Sequence, residues 1–112
     1  MANKYGAIKT TVRGVVCDSK LEAMHYTYLL SKQRTGHIGV IETHPKWTIT
    51  FHGKKICNVL LDFKFTDAHT GKTRYVDSKG VDTAISRLKR KLLQAQEGIT
   101  VEVWTKKKWG LD

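Results

Sequence analysis

Tyr75-Val76-Asp77-Ser78-Lys79-Gly80 reads as the end of a β-strand that carries an acid and a lysine two positions apart. Side chains alternate faces along a strand, so Asp77 and Lys79 are expected side by side on one face. Upstream, Asn58-Val59-Leu60-Leu61-Asp62-Phe63-Lys64-Phe65 reads as a neighbouring strand, with Asp62 facing away from Leu61, Phe63 and Phe65. Aspartate is poor in strands, particularly between bulky apolar residues. Two carboxylates and an ammonium on adjacent strands call for something that needs them. A hard divalent cation with oxygen ligands, Mg²⁺ or Mn²⁺, meets that need.

The rest of the chain supplies a frame for these residues. Ala7 to Cys17 alternate loosely around Arg13-Gly14, as in a short hairpin or an extended arm. Ser19 followed by Glu22 is a capping-box pattern that opens a helix. Leu21, Met24, Tyr28 and Leu29 repeat at helical spacing in it, and Gly36 is a natural stop. A loop with Glu42, His44 and Pro45 is expected next, both polar residues being further site candidates. Trp47, Ile49 and Phe51 then alternate as a half-buried strand. Strands at about 56–65 and 73–79 follow, joined through Gly71. A helix over about 82–97 is expected to bury Ile85, Leu88, Leu92 and Leu93, and Ile99, Val101 and Val103 form a last strand. The order helix, three strands, helix, strand gives a single two-layer mixed α/β domain, residues 1–112, around a central sheet.

Composition narrows the partner. Twenty Lys and Arg face ten Asp and Glu in 112 residues, a formal charge of +10. That excess in a small domain points to a polyanion, most often nucleic acid. Arg87, Arg90 and Lys91 on the second helix, with Lys106, Lys107 and Lys108 beyond the last strand, are the candidate phosphate contacts. Lys89 falls nearer the apolar stripe, either as a lysine at the edge of the core or as a cation reaching the scissile phosphate. Trp104 and Trp109 flank the lysine run and either stack on nucleic acid or pack on the fold. No apolar run approaches a membrane span, and residues 1–6 have no apolar signal segment, so a cytoplasmic protein is expected. Cys17 and Cys57 have no metal-type spacing and read as small core residues, and the five histidines show no zinc-ligand spacing.

Phosphodiester hydrolysis needs an activated water, in-line geometry and relief of charge on phosphorus and the leaving oxygen. Asp62 and Asp77 sharing a cation, with Lys79 beside the attacking water, would meet these needs. The Ser78 carbonyl lies between the two functional side chains as a possible backbone ligand. Glu22 would complete the ligand shell or hold a second ion; as a capping residue alone it would contribute only ~1 kcal/mol.

Asp18-Ser19-Lys20-Leu21-Glu22-Ala23, His44-Pro45-Lys46-Trp47, Leu61-Asp62-Phe63-Lys64-Phe65, Val76-Asp77-Ser78-Lys79-Gly80 and Leu88-Lys89-Arg90-Lys91-Leu92 together resemble small phage and prophage proteins of the PD-(D/E)xK nuclease superfamily. The resemblance spans roughly residues 5 to 103. It implies a restriction-endonuclease-like αβββαβ core with catalytic positions at Glu22, Asp62, Asp77 and Lys79. It also implies a Mg²⁺- or Mn²⁺-dependent DNA endonuclease of phage DNA processing. Holliday junctions or other branched DNA are the favoured substrate, and a homodimer would be needed to cut a junction symmetrically. There are two departures from the pattern. Leu60 and Leu61 stand where a proline often precedes the first Asp, and Ser78 stands where glycine or a β-branched residue is usual, a change expected to leave the chemistry alone.

Overall fold

One long antiparallel ribbon, from Ile38 to Asp67, shapes this molecule, a computed structural model that describes residues 8–111. Its strands are β3 (Ile38–Thr43), β4 (Lys46–Phe51), β5 (Lys54–Leu60) and β6 (Phe63–Asp67). β3 pairs with β6 through Thr43–Phe63, and β4 with β5 through Lys46–Leu60, so one register runs past the break between them. At the break the His44 amide donates to the Asp62 carbonyl (2.9 Å) and the Leu61 amide to the Pro45 carbonyl (3.0 Å). His44 has a left-handed backbone there (φ 53°), uncommon for a residue with a side chain.

The inner half of the ribbon joins the central sheet, whose order is β3-β6-β7-β8. β7 (Thr73–Ser78) is antiparallel to β6, and β8 (Val101–Trp104) runs parallel to β7 after helix α2 (Ala84–Glu97). Before the ribbon come a hairpin of β1 (Thr10–Val12) and β2 (Val15–Cys17), turning at Arg13-Gly14, and helix α1 (Lys20–Arg34). The order α1, β3, β6, β7, α2, β8 is the mixed α/β core expected from the sequence, with two hairpins added. The strand identities differ, however. Residues 38–43, expected as loop, form the sheet's edge strand. The expected 47–51 strand belongs to the outer hairpin, and the expected 56–65 strand is two strands broken at Asp62. The part of the amino-terminal expectation that concerns residues 1–7 lies outside the described residues.

Two apolar cores result. On one face of the sheet, Ala23, Tyr26 and Leu29 of α1 pack with Cys17, Ile38, Phe63, Phe65, Val76 and Trp104. Tyr26 stacks on Phe63 with centroids 5.6 Å apart. Burying each such large side chain contributes about 1.5–3 kcal/mol. On the other, Leu93 of α2 meets Ile49, Val59, Leu61 and Ile99, with Tyr75 and Val101 against them. Leu61 and Phe63, expected in one row, therefore enter different cores. Both helices are capped: the Ser19 hydroxyl accepts from the Glu22 amide, the Thr83 hydroxyl accepts from the Ser86 amide, and Gly98 ends α2 in the left-handed conformation.

The covered faces of the helices match the apolar spacing only in part. On α1 the buried residues are Glu22, Ala23, His25, Tyr26 and Leu29, while Met24 is exposed. On α2 only Leu93 is buried, and Ile85 (62 % exposed) and Leu88 (52 %) are open to solvent. The carboxyl-terminal half of α2 rests on the core, and its first turns overhang a groove.

Candidate active site

The groove has a volume of about 990 Å³ and opens at the end of the sheet where β7 finishes and β6 begins. The register pairs Phe63 with Val76, which sets Asp62 beside Asp77. Along β7, Arg74, Val76 and Ser78 point toward α1, while Tyr75 and Asp77 point to the opposite face. Lys79 follows on the Asp77 side, its Nζ 3.2 Å from Asp77 Oδ2. Its amide donates to the Trp104 carbonyl (2.9 Å), tying the site to the end of β8. The first turn of α1 brings Glu22 over the sheet end, where its carboxyl contacts the Asp62 carboxyl and the Asp18 amide. Glu22, Asp62, Asp77 and Lys79 thus line one groove.

Glu22 is only 2 % exposed and Asp77 6 %. The role of Glu22 exceeds that of a capping residue: Ser19 caps the helix, but the Glu22 carboxylate turns inward, with Oε2 2.8 Å from His44 Nε2. A carboxylate in the first turn is also favoured by the helix dipole. Burial, with Glu22 hydrogen-bonded and charged beside it, pushes the Asp62 carboxyl up to about 7. Burial and the Asp62 charge push Asp77 up to about 7 as well, against the pull of Lys79. Burial raises Glu22 too. The Cys17 thiol, buried beside Glu22, is raised to about 12 and is inert core, as expected. These carboxyls repel one another in a region poor in solvent, the condition that a divalent cation relieves. Their oxygens are the hard donors that Mg²⁺ and Mn²⁺ take, so the residues present fit such an ion.

Ser78 has a more definite place than the sequence suggests. Its amide donates to Asp62 Oδ2 (2.6 Å) and its hydroxyl lies 2.6 Å from His25 Nδ1. His25, fully buried, has its Nε2 3.1 Å from the Thr105 carbonyl, an acceptor only. Nε2 therefore carries the proton, and Nδ1 accepts from the Ser78 hydroxyl. Burial lowers the His25 pKa, consistent with a neutral ring. Ser78 thus meets the site through its amide, while its hydroxyl faces His25 of α1.

Of the two loop candidates, His44 is in the groove and Glu42 is not. Glu42 is exposed on β3, 4.0 Å from Lys64. Asp18, not singled out from the sequence, also lines the groove, and one ligand atom from each of Asp18, Glu22 and His44 lies within 4.8 Å of the others. An acid four residues before Glu22, across the helix cap, was the available signal. For His25 no local signal existed, since its partners Ser78 and Thr105 are distant in sequence.

The basic residues divide into two groups. Lys106, Lys107 and Lys108 are exposed in the loop after β8. Because β8 runs parallel to β7 with Trp104 opposite Ser78, that loop lies at the same end of the sheet as the groove. Arg90, by contrast, makes a two-pronged contact with Asp82 (2.9 and 2.7 Å), and Arg87 bonds the Asp82 carbonyl (3.0 Å). These arginines, expected on a phosphate-binding face, brace the segment between Lys79 and α2. Lys91 is exposed, and Lys89 is half-buried in line with Ser86 and Leu93. Trp104 is core, and Trp109 packs edge-on against Tyr28 (4.5 Å), so neither tryptophan is a free stacking platform. Among the described residues, no helix is long and apolar enough to cross a membrane.

No curated protein and no solved structure matches this chain. A family profile described as "Protein of unknown function (DUF1064)" matches residues 2–109, nearly the whole sequence, and the chain belongs to that family.

Proposed function

We propose that this protein is a Mg²⁺- or Mn²⁺-dependent DNA endonuclease of the PD-(D/E)xK type. The observation that carries the proposal is the meeting of Glu22, Asp62, Asp77 and Lys79 in one groove, at the end of a sheet with β3-β6-β7-β8 order. A bound dication supplies Lewis acidity toward a phosphate oxygen and lowers the pKa of water. Asp62 and Asp77 would hold such an ion, and Glu22 would complete its donor set from α1. The Ser78 amide fixes the Asp62 carboxylate, and His25 fixes Ser78. Lys79, 3.2 Å from Asp77, orients the attacking water and offsets charge on the phosphate in the transition state. Lys106 to Lys108 hold the DNA backbone beside the groove, in keeping with the +10 charge.

Branched DNA, Holliday junctions included, is the substrate we favour, within phage DNA processing in a bacterial cytoplasm. One groove cuts one strand, so paired incision of a junction takes a homodimer with two grooves. The test is incubation with linear, flapped, single-stranded and four-way-junction DNA in Mg²⁺, Mn²⁺ or EDTA. Metal-dependent cleavage, strongest on the branched forms, is expected. Absence of cleavage on every form in both metals, with DNA binding intact, would replace this reading with that of a nucleic-acid-binding accessory protein.

A further inference from the structure

We infer that the β4–β5 hairpin is a DNA-docking arm, whose tip around Phe51, Lys54, Lys55 and Ile56 seats in a groove of the duplex about five base pairs from the strand held for cleavage. The inference rests on the proposed function for its partner, DNA, and not for the chemistry, because binding can be read without cleavage.

The hairpin leaves the body of the protein as a free end. Its root lies at the active-site groove, where Lys46 pairs with Leu60 and Leu60 lines the wall. Ile49 and Val59 are buried with Leu93 of α2. Beyond them every residue from Thr50 to Ile56 is exposed, so neither face of the tip is covered. Gln96 of α2 braces the arm just before this point. Its side-chain oxygen accepts from the Thr50 amide (2.9 Å) and its nitrogen donates to the Thr48 carbonyl (2.8 Å). The turn is tight: His52 and Gly53 both have left-handed backbones (φ 50° and 78°), as in the two-residue turn whose twist matches its strands. Ile56 is the extra residue of a bulge between the Ile49–Cys57 and Thr50–Lys55 pairs.

The chemistry of the tip indicates what it meets. From Thr43 to Leu61 the chain has no Asp or Glu, but it has Lys46, Lys54 and Lys55. Lysines and a bulge also keep exposed strands from pairing with other chains. That account covers Lys54, Lys55 and the bulge. It leaves Phe51 (66 % exposed) and Ile56 (55 %) unexplained, since apolar side chains at the same tip invite contact. Duplex DNA fits both features, because its major groove admits a two-stranded β-ribbon and offers thymine methyl groups between two rows of phosphates. Lys54 and Lys55 reach the phosphates, and Phe51 and Ile56 the less polar surface between them.

The length of the arm sets the distance. From the Lys46–Leu60 pair to the Phe51–Lys54 pair is five steps along β4. At ~3.3 Å per residue that is about 17 Å. Duplex DNA covers the same distance in about five base pairs at ~3.4 Å each.

The experiment measures the affinity of the full-length protein for duplex and four-way-junction DNA in Ca²⁺ over a range of salt, with hydroxyl-radical footprints of the same complexes. Wild type is compared with Phe51→Ser and with the double variant Lys54→Ala, Lys55→Ala. All three positions are exposed, so the variants keep the wild-type unfolding temperature. The lysine variant should flatten the plot of log affinity against log salt by up to ~1.8, at ~0.9 per phosphate. Its footprint should end about five base pairs short of the wild-type footprint along one arm of the junction. Phe51→Ser should weaken binding several-fold with the wild-type slope. Wild-type affinity, slope and footprint in both variants would overturn the inference. Unchanged DNA affinity with altered self-association in sedimentation would also overturn it, giving the tip to a second copy of the chain. Tip-dependent binding by a protein that cleaves no DNA would uphold the arm while removing the nuclease reading. Cleavage by a protein whose binding ignores the tip would do the reverse.

Discussion

Replacing Asp77 by Asn should stabilise the metal-free protein at alkaline pH and leave it nearly unchanged at pH 5. Asp62 and Asp77 both rise from an ordinary 3.8 to about 7 in the folded protein. Between about pH 4 and 7 the folded state therefore holds more protons than the unfolded chain, and stability falls as pH rises through that window. A shift of roughly 3 units corresponds to about 4 kcal/mol for one such carboxyl, at 1.36 kcal/mol per unit. The two shifts share the same repulsion and do not add. Removing one charge should thus return up to about 4 kcal/mol at pH 8.5, less the lost attraction to Lys79, so a net gain of about 2 kcal/mol is expected. In a domain of this size that is a rise in Tm of roughly 8–15 °C. The assay is thermal unfolding in EDTA from pH 5 to 8.5, repeated with Mn²⁺ added. In EDTA the wild type should lose stability with pH while the variant's curve is flatter. With Mn²⁺ at about 100 times its Kd, the wild type should gain about 2.7 kcal/mol, most visibly at high pH, and the variant much less. A wild-type curve that is flat or rising with pH in EDTA, with the variant parallel below it, would refute the claim that these carboxyls are raised by burial and mutual repulsion.

Three further outcomes are expected. His25→Ala should cost about 3 kcal/mol in chemical denaturation, because it opens a cavity beside Trp104 and Trp109 and frees the Ser78 hydroxyl; Ser78→Ala should cost only about 1 kcal/mol, since the amide bond to Asp62 survives. Converting Lys106, Lys107 and Lys108 to Ala should weaken duplex binding and flatten the plot of log affinity against log salt by up to ~2.7, at ~0.9 for each phosphate no longer neutralised; an unchanged slope would take that loop out of the interface. Arg90→Ala should act through the segment held by Asp82, lowering cleavage more than it changes the salt slope, and the reverse pattern would restore Arg90 as a phosphate ligand.

What the sequence made legible follows from the range of the interactions involved. Asp77 and Lys79 could be placed together because alternation along a strand is local, and they lie two residues apart. Glu22 was marked by its spacing from Ser19, a pattern complete within one helical turn. Asp62 lies in the groove with the other three, but the strand reading that singled it out was incomplete: it sits at the break in a ribbon, not in the middle of a strand. That break depends on pairing of residues 43–46 with 60–63, which no local pattern specifies, and the same pairing delivers His44. β3 was missed because Gly39, exposed Val40 and Glu42 interrupt its alternation. On α2 the apolar stripe was visible, but a stripe does not say how much of its length is covered, so Ile85 and Leu88 were placed in a core that ends at Leu92 and Leu93. Arg90 read as a free cation because its partner, Asp82, lies outside the helix.

The most direct measurement is single-turnover cleavage of a labelled four-way junction in Mn²⁺ by wild type, Asp77→Asn and Lys79→Met, with DNA affinity measured on the same samples in Ca²⁺. Cleavage by the wild type, a loss of at least ~10²-fold in both variants and affinities within a few-fold of each other are expected. Equal rates in all three proteins would contradict the account, because the acids and the lysine that meet in the groove would then not be its chemistry.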